Sequence, residues 1–362
     1  MNIFTVTFLI NNYGSVLQAY ALQSRLKECG AKPCIILHAR KKNCTVVSRI
    51  RSILGLLKPR KHYSLIQRIQ LRLQSKKFSE KNKKISSFIQ NHIKVKSLTD
   101  LDEFSRTVLP TDVFLAGSDQ IWNTMDKPLS NWYSLQWYNG NNKKYSYAAS
   151  IGQSALTEKQ IQDYEEGLSS FTCLSFREIH AVNALSSSFS DKIRNDLDPT
   201  LLYDGSFWRR LKSSIKEKEP YIFVYMLRPD DDLIKLALKI GKEKKCNILY
   251  TGNYAYQYDG INTILDAGIE DFLSYIDNAE AIVTNSFHGT VFSILFEKPF
   301  LSVKIASTSS RVESMLGMLG LMSQLVSSTT ETYSFSINYA EVMSILDIKR
   351  NESLQYLKTI CN

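Results

Sequence analysis

Short apolar runs rich in β-branched and aromatic residues alternate with segments of helical spacing, and the chain goes through this alternation twice. Parallel strands need a long crossover, usually a helix, so the pattern restricts the chain to parallel-sheet α/β folds. Ile3 to Ile10 opens the first series as a strand. Ser15 to Glu28 follows as a helix, with Val16, Leu17, Tyr20, Ala21, Leu22 and Leu26 at helical spacing. Gly30 stops it, and Pro33 to His38 reads as the second strand. Further strands are expected at Asp112–Ala116, Lys143–Ala149 and Leu174–Arg177, with helices at Thr157–Leu168, capped by Thr157, and at His180–Leu185. In the second series the strands are Tyr221–Met226, Asn247–Thr251, Ala281–Thr284 and Pro299–Val303. The helices between them are Leu233–Lys244, Asp271–Ala279 and Thr290–Phe296. Asp198-Pro199-Thr200 and Gly205 mark the boundary, and 362 residues exceed what one core usually serves. The expectation is two Rossmann-like domains, 1–205 and 206–362, with the last helix packing back on the first domain.

Charge is confined to one part of this frame. Arg40 to Lys96 holds 17 basic residues and a single acid, Glu80, a local net of +16, so the remainder of a chain of formal charge +10 carries −6. Within it Ser64–Phe78 reads as an amphipathic helix and Glu80–Ile93 as another. Such a segment suits an anionic partner, a membrane surface or a phosphate-bearing substrate. It has few aromatic residues and no nucleic-acid motif, so nucleic acid is not expected as a partner. Met1-Asn2-Ile3-Phe4 lacks the basic start of a signal peptide, and no apolar stretch is long enough to cross a bilayer. A cytoplasmic location is expected, with peripheral contact at the inner face of the membrane. The cysteines (29, 34, 44, 173, 246 and 361) form no C-x-x-C pair and the five histidines are scattered. This predicts reduced, mostly buried thiols and no metal site.

Ligands of open α/β sheets bind at the carboxyl ends of strands, which directs attention to four turns. The first is Asn12-Tyr13-Gly14-Ser15, where Gly14 suits a tight turn and Ser15 a helix cap offering amides to an anion. An ordinary βα turn would look the same. The second, Gly117-Ser118-Asp119-Gln120, packs a hydroxyl, a carboxylate and an amide into one strand end, or simply caps the next segment. In the third, Arg177 follows an apolar strand and has to be paired, either with Glu178 or another acid or with an anionic ligand. The fourth is Thr284-Asn285-Ser286-Phe287-His288-Gly289-Thr290, in which a histidine, hydroxyls, a glycine and a helix start coincide. That combination suits anion binding and proton transfer.

The ordered set NNYGSVLQAYALQ (11–23), DVFLAGSDQIWN (112–123), YSYAASIG (145–152), SFRE (175–178), DPTLLYDGSFW (198–208), TNSFHGTVFSILFEKPF (284–300) and SSRVESMLGMLGL (309–321) resembles the polysaccharide pyruvyl transferase family. The resemblance runs over roughly residues 3–325. It implies a fold like the B-type glycosyltransferases, with the cleft between the domains as active site, the first domain on the acceptor side and the second on the donor side. It also implies phosphoenolpyruvate as donor substrate with no cofactor, and a sugar of a surface polysaccharide, capsular or otherwise, or of its lipid-linked precursor as acceptor. His288 matches the position of a general acid or phosphate ligand, and Arg177, Ser286, Gly289 and Thr290 match donor-binding positions. Asp119 is a candidate base, with Asn12, Gly14, Ser15, Gly117, Ser118 and Gln120 around it. Some family members carry arginine and leucine before the motif histidine, where this chain has Ser286-Phe287. Either Lys304 or Arg311 then supplies the cation, or the donor is a different one. The competing reading is a glycan-modifying transferase using a nucleotide sugar, for which neither domain shows a nucleotide signature.

Overall fold

The structure, a computed structural model, describes residues 1–39, 65–252, 258–304, 310–327 and 332–362, the side chains of 65–73 excepted. Residues 40–64 of the basic stretch therefore lie outside the described residues.

The first domain runs β1 (Asn2–Val6), α1 (Tyr13–Glu28), β2 (Lys32–His38), α2 (Leu65–His92), β3 (Val95–Leu98), α3 (Leu101–Arg106), β4 (Val113–Ala116) and β5 (Lys144–Ser146). It continues with α4 (Glu158–Leu168), β6 (Leu174–Phe176), α5 (Ile179–Phe189) and β7 (Ile193–Asn195). Its sheet is parallel in the order β3-β2-β1-β4-β5. Bridges between Tyr145 and Cys173 and between Ala149 and Phe176 attach the parallel pair β6-β7 to its edge. A 3-10 turn (Pro199–Leu202) and α6 (Gly205–Arg209) lead into the second domain. There β8 (Tyr221–Met226), α7 (Asp231–Lys244), β9 (Asn247–Gly252), β10 (Asn262–Thr263), α8 (Ile269–Asp277) and β11 (Ala281–Thr284) are followed by α9 (Phe287–Leu295), β12 (Phe300–Val303), α10 (Ser310–Met318) and β13 (Leu325–Val326). This sheet is parallel in the order β10-β9-β8-β11-β12-β13. Strands β4, β8, β11 and β12 are buried along their whole length, as expected where helices cover both faces of a sheet. In each sheet the strand order reverses beside its first strand, at β1/β4 and at β8/β11.

The last helix, α11 (Tyr339–Cys361), lies against the first domain. Its Tyr356 hydroxyl donates to Ser146 O at 2.9 Å, its Ser353 Oγ accepts from Leu197 N at 3.2 Å, and Arg350 Nε donates to Leu201 O at 2.7 Å.

Two local expectations are corrected. A single helix, α2, spans the range where spacing suggested two, because Ser79-Glu80 contains no breaker and the helix continues through it. Its lysines do not all face water. Lys81 is buried and donates to Gly252 O at 2.9 Å, Lys84 pairs with Asp271 at 2.8 Å, and both fasten α2 to the second domain. The described thiols are free, but only Cys34 is buried; Cys29, Cys173, Cys246 and Cys361 are half-buried, and Cys44 lies outside the described residues. Among the described residues no helix is long and apolar enough to cross a membrane.

Candidate active site

The two reversal points face each other across a cavity of about 240 Å³. The first domain contributes Phe8, Ile10, Asn12 and Ser15 from the loop after β1, and Asp119 and Gln120 from the turn after β4. The second contributes Leu227 and Arg228 after β8, Asn285 to His288 after β11, and Arg311 at the start of α10.

Hydrogen bonds brace both walls. Thr7 Oγ1 donates to Ser118 O at 2.7 Å and ties the end of β1 to that of β4. Asn12, not Ser15, caps α1, its Oδ1 accepting from Ser15 N at 3.3 Å. Ser15 instead holds the loop, its Oγ donating to Phe8 O at 3.0 Å and accepting from Ile10 N at 3.3 Å. In the second domain Asn285 joins the ends of β8 and β11, accepting from Leu227 N and donating to Arg228 O, each at 2.9 Å. Ser286 caps α9, which begins at Phe287 rather than near Thr290, so His288 stands in the first helical turn instead of in the loop before it.

Asp119 is half-buried and takes a left-handed backbone, φ 77°. A side-chain oxygen accepts from Gln120 N at 2.8 Å, a local bond that helps an aspartate tolerate this conformation. Strained backbone of this kind is typical of working turns. The carboxylate is felt by Tyr133, whose phenol is pushed up to about 12 by burial first and Asp119 second.

The two glycines of the outer turns serve packing. Gly14 lies within α1 without a left-handed φ, and a Cβ there would strike the His288 imidazole, 2.7 Å from Cε1. A Cβ on Gly289 would press on Thr284, 3.1 Å from its Cβ, so the missing side chain makes room for Thr284 and not for a ligand. Gly117 is packed on Thr5, Thr7 and Leu22, and Thr290 bonds to Ser286 O and Ser302 Oγ; neither lines the cavity.

Arg177 pairs with Asp198, Nη2 to Oδ2 at 2.7 Å, and not with Glu178. Glu178 accepts instead from Ser150 Oγ and Gly152 N. Arg177 also donates to Ser118 Oγ, while its Nε and Nη1 are buried without a partner. It stands behind Phe287, 4.9 Å from the ring centroid, and lines a small second cavity of about 20 Å³. Phe287 and Arg311 border both cavities. The guanidinium of Arg311 lies 5.6 Å from the same ring, and its Nε and Nη2 reach the side-chain oxygen of Gln120 at 3.1 and 2.6 Å. It is pushed down to about 10, by burial first and by Arg177 second. Of the two cations expected to replace the family arginine, Arg311 is in the cavity wall, whereas Lys304 is paired with Glu313 at 2.7 Å.

Sequence patterns placed Asp198 at a domain boundary and in one of the family-like stretches but gave it no role in the site, yet it stands at the centre of these charges. It is fully buried. Its Oδ2 lies 2.7 Å from Arg177, 3.5 Å from Ser118 Oγ and 3.5 Å from His288 Nε2, while Oδ1 accepts from Thr200 N at 2.9 Å. Burial opposes ionisation, but Arg177 and then His288 hold the carboxyl below the usual carboxylate range. The DPT triplet was the available signal, an acid where the chain passes between domains.

Among the described residues no three His, Cys, Asp or Glu side chains are gathered to hold a metal. The arrangement provides fixed cations beside a histidine on one wall and a carboxylate on the other, as binding an anion and moving protons require.

Solved structures similar in fold include the Arabidopsis thaliana UGT89C1 complexed with quercetin, at 10% identity and TM-score 0.51, covering 100% of this chain and 99% of that one. The UDP-GlcNAc 2-epimerase from Methanocaldococcus jannaschii matches at 11% identity and TM-score 0.51, covering 97% and 93%. At such identity they establish the shared fold, two Rossmann-like domains in the glycosyltransferase-B arrangement, and nothing further. No curated protein is similar to the chain in sequence. The model for polysaccharide pyruvyl transferase matches residues 12–307, from the cap of α1 to beyond β12, a range that holds Asn12, Asp119 and His288 of the cleft; the chain belongs to the polysaccharide pyruvyl transferase family.

Proposed function

We propose that the protein transfers the pyruvyl group of phosphoenolpyruvate to a sugar of a surface polysaccharide or its lipid-linked precursor, forming a pyruvate ketal. The observation that carries this reading is the pairing across one cavity of Arg311 and His288 with Asp119. A donor with both carboxylate and phosphate calls for cations held in place, and a diol acceptor calls for a base. His288 gives a proton to the vinyl methylene, which becomes the methyl group as positive charge develops at the neighbouring carbon. Asp119 takes the proton of the first sugar hydroxyl as it bonds to that carbon. The C–O bond to phosphate breaks, the second hydroxyl closes the ring and returns its proton to His288, and inorganic phosphate leaves with the proton held by Asp119. Arg311 holds the donor's anionic groups from the cavity wall; Arg177 lines only the small cavity behind Phe287, and its two unpartnered nitrogens would reach the donor once Phe287 turns aside.

The test is incubation with phosphoenolpyruvate and a panel of lipid-linked and synthetic glycosides, following phosphate release and the mass of the glycoside. Ketal formation with release of one phosphate per product is expected. Consumption of a nucleotide sugar, with phosphoenolpyruvate left intact, would overturn the proposal in favour of glycosyl transfer.

A lipid-linked acceptor gives the basic stretch a use. We propose that it holds the enzyme on the anionic inner leaflet, where each nearby cation contributes on the order of 1 kcal/mol. Lys76, Lys77, Lys94 and Lys96 are exposed and open to such contact, whereas Lys83 is paired with Glu80 and Lys81 and Lys84 are engaged with the second domain.

A further inference from the structure

We infer that Asp198 is a positioning residue that fixes the tautomer of His288 and thereby assigns the reacting proton to Nδ1. The inference rests on pyruvyl transfer as the reaction for its kinetic consequence, but not for its geometry.

Four elements of the chain meet at this carboxylate. Ser118 and Arg177 reach it from the ends of β4 and β6, Thr200 from the 3-10 turn, and His288 from the first turn of α9 in the other domain. The carboxylate has no solvent exposure and His288 is 6% exposed, so their charges interact with little screening by solvent. An ionised carboxylate only accepts hydrogen bonds. The atom of His288 that faces it is Nε2, at 3.5 Å, and this atom has no other partner. A neutral imidazole carries one N–H, and the partner of one nitrogen decides which nitrogen bears it. Asp198 therefore keeps the hydrogen on Nε2. The lone pair is left on Nδ1, on the side where the side-chain-free Gly14 adjoins the cavity-lining Asn12 and Ser15. When Nδ1 is protonated for delivery to the donor's methylene, the imidazolium is stabilised by the same carboxylate. After delivery the ring returns to the Nε2–H form. The 3.5 Å separation is long for a hydrogen bond and leaves the pair able to tighten as positive charge forms on the ring.

The carboxylate also keeps Arg177 compatible with the interior, since removing the partner of a buried ion leaves an uncompensated charge. Asp198→Asn tests both roles, because asparagine retains the oxygen that accepts from Thr200 N but presents no negative charge to the ring. Selective ¹⁵N-histidine labelling reads the tautomer directly on the wild-type protein, without donor or acceptor. The His288 signals, assigned with His288→Gln, are expected to show Nε2–H in the wild type, and a mixture or Nδ1–H in Asp198→Asn. In turnover with phosphoenolpyruvate, Asp198→Asn is expected to lose at least ~100-fold in kcat, with the donor Kd shifted by less than about tenfold. A wild-type His288 carrying its hydrogen on Nδ1, or an unchanged kcat in Asp198→Asn, would overturn the assignment even where pyruvyl transfer is demonstrated. Should the variant fail to fold, the wild-type spectrum alone decides. Should no pyruvyl transfer be found, the spectrum still tests the Asp198–His288 pairing independently of that failure.

Discussion

Gly14 offers a clean perturbation because only its lack of a side chain links it to the site. It lies in the first turn of α1 and is not among the glycines in the left-handed region, so alanine is acceptable to the backbone. In a helix that exchange is worth about 1 kcal/mol in alanine's favour. The new methyl carbon, however, would stand 2.7 Å from Cε1 of His288 and closer still to Nδ1 and Cγ. Non-bonded carbons settle at roughly 3.5–4.0 Å, so the imidazole has to withdraw by on the order of 1 Å. Forcing extra volume into a packed place costs about 1–3 kcal/mol, partly offset by the helix preference, which leaves a net loss of at most about 2 kcal/mol. Catalysis tolerates far less: a displacement of about 1 Å can cost on the order of 100-fold in rate. Gly14→Ala is thus expected to fold, to melt within a few degrees of wild type by calorimetry, and to lose about 100-fold in kcat by phosphate release. Turnover within about threefold of wild type, in a variant whose structure confirms the methyl group against the ring, would refute the placement of His288 at the reaction centre.

Removing the ring altogether with His288→Ala should lower kcat at least ~100-fold, the scale expected for a positioned acid, and full activity would dismiss that role. Arg177→Lys retains charge but loses the planar fork, so donor affinity measured by calorimetry should fall; a lower melting temperature with unaltered donor affinity would mark Arg177 as structural only. Burial pushes Lys81 down to about 8 from an ordinary 10.5, so between these values the unfolded chain holds a proton the folded one lacks. Its burdens are therefore full below pH 8 and lifted as pH climbs toward 10.5, a relative gain on the order of 3 kcal/mol. Denaturant unfolding of wild type minus Lys81→Met should rise by that sign over this range, and a flat difference would contradict it. Sedimentation with anionic vesicles should exceed that with neutral ones at low salt and fade toward 1 M, where screening shortens to about 3 Å; equal, negligible binding to both would end the membrane proposal while leaving the transfer reaction untouched.

What the sequence disclosed and what it withheld divide along physical lines. Tyr221–Met226 and Ala281–Thr284 were legible to the residue because strands covered on both faces are uninterrupted apolar runs. The turns after β1, β4 and β11 were legible as places for chemistry because strand ends are where side chains reach a ligand. Asp198 was not, since its worth lies in meeting Ser118, Arg177 and His288, residues far from it in the chain. The start of α9 was misplaced because Ser286 as a cap and Phe287 as first helical residue leave the same local pattern as a loop with a later start. The duties of Gly14 and Gly289 were equally hidden, because a glycine does not declare which neighbour needs its space.

The return of α11 to the first domain has a mechanical consequence. A body tied to another at one point can swivel freely, whereas one tied at two points keeps a single free axis, the line through both. This chain passes between its sheets once around Asp198–Arg209 and again between Val326 and Tyr339. The direction in which the cleft can open is thus set by covalent connectivity, before any contact between its walls is considered. The second tether is also fastened on both sides of Asp198, through Ser353 to Leu197 N and through Arg350 to Leu201 O. The pivot and the carboxylate that faces His288 thus share one hydrogen-bonded stretch, and a rotation about that axis would change the distance between the histidine and its partner.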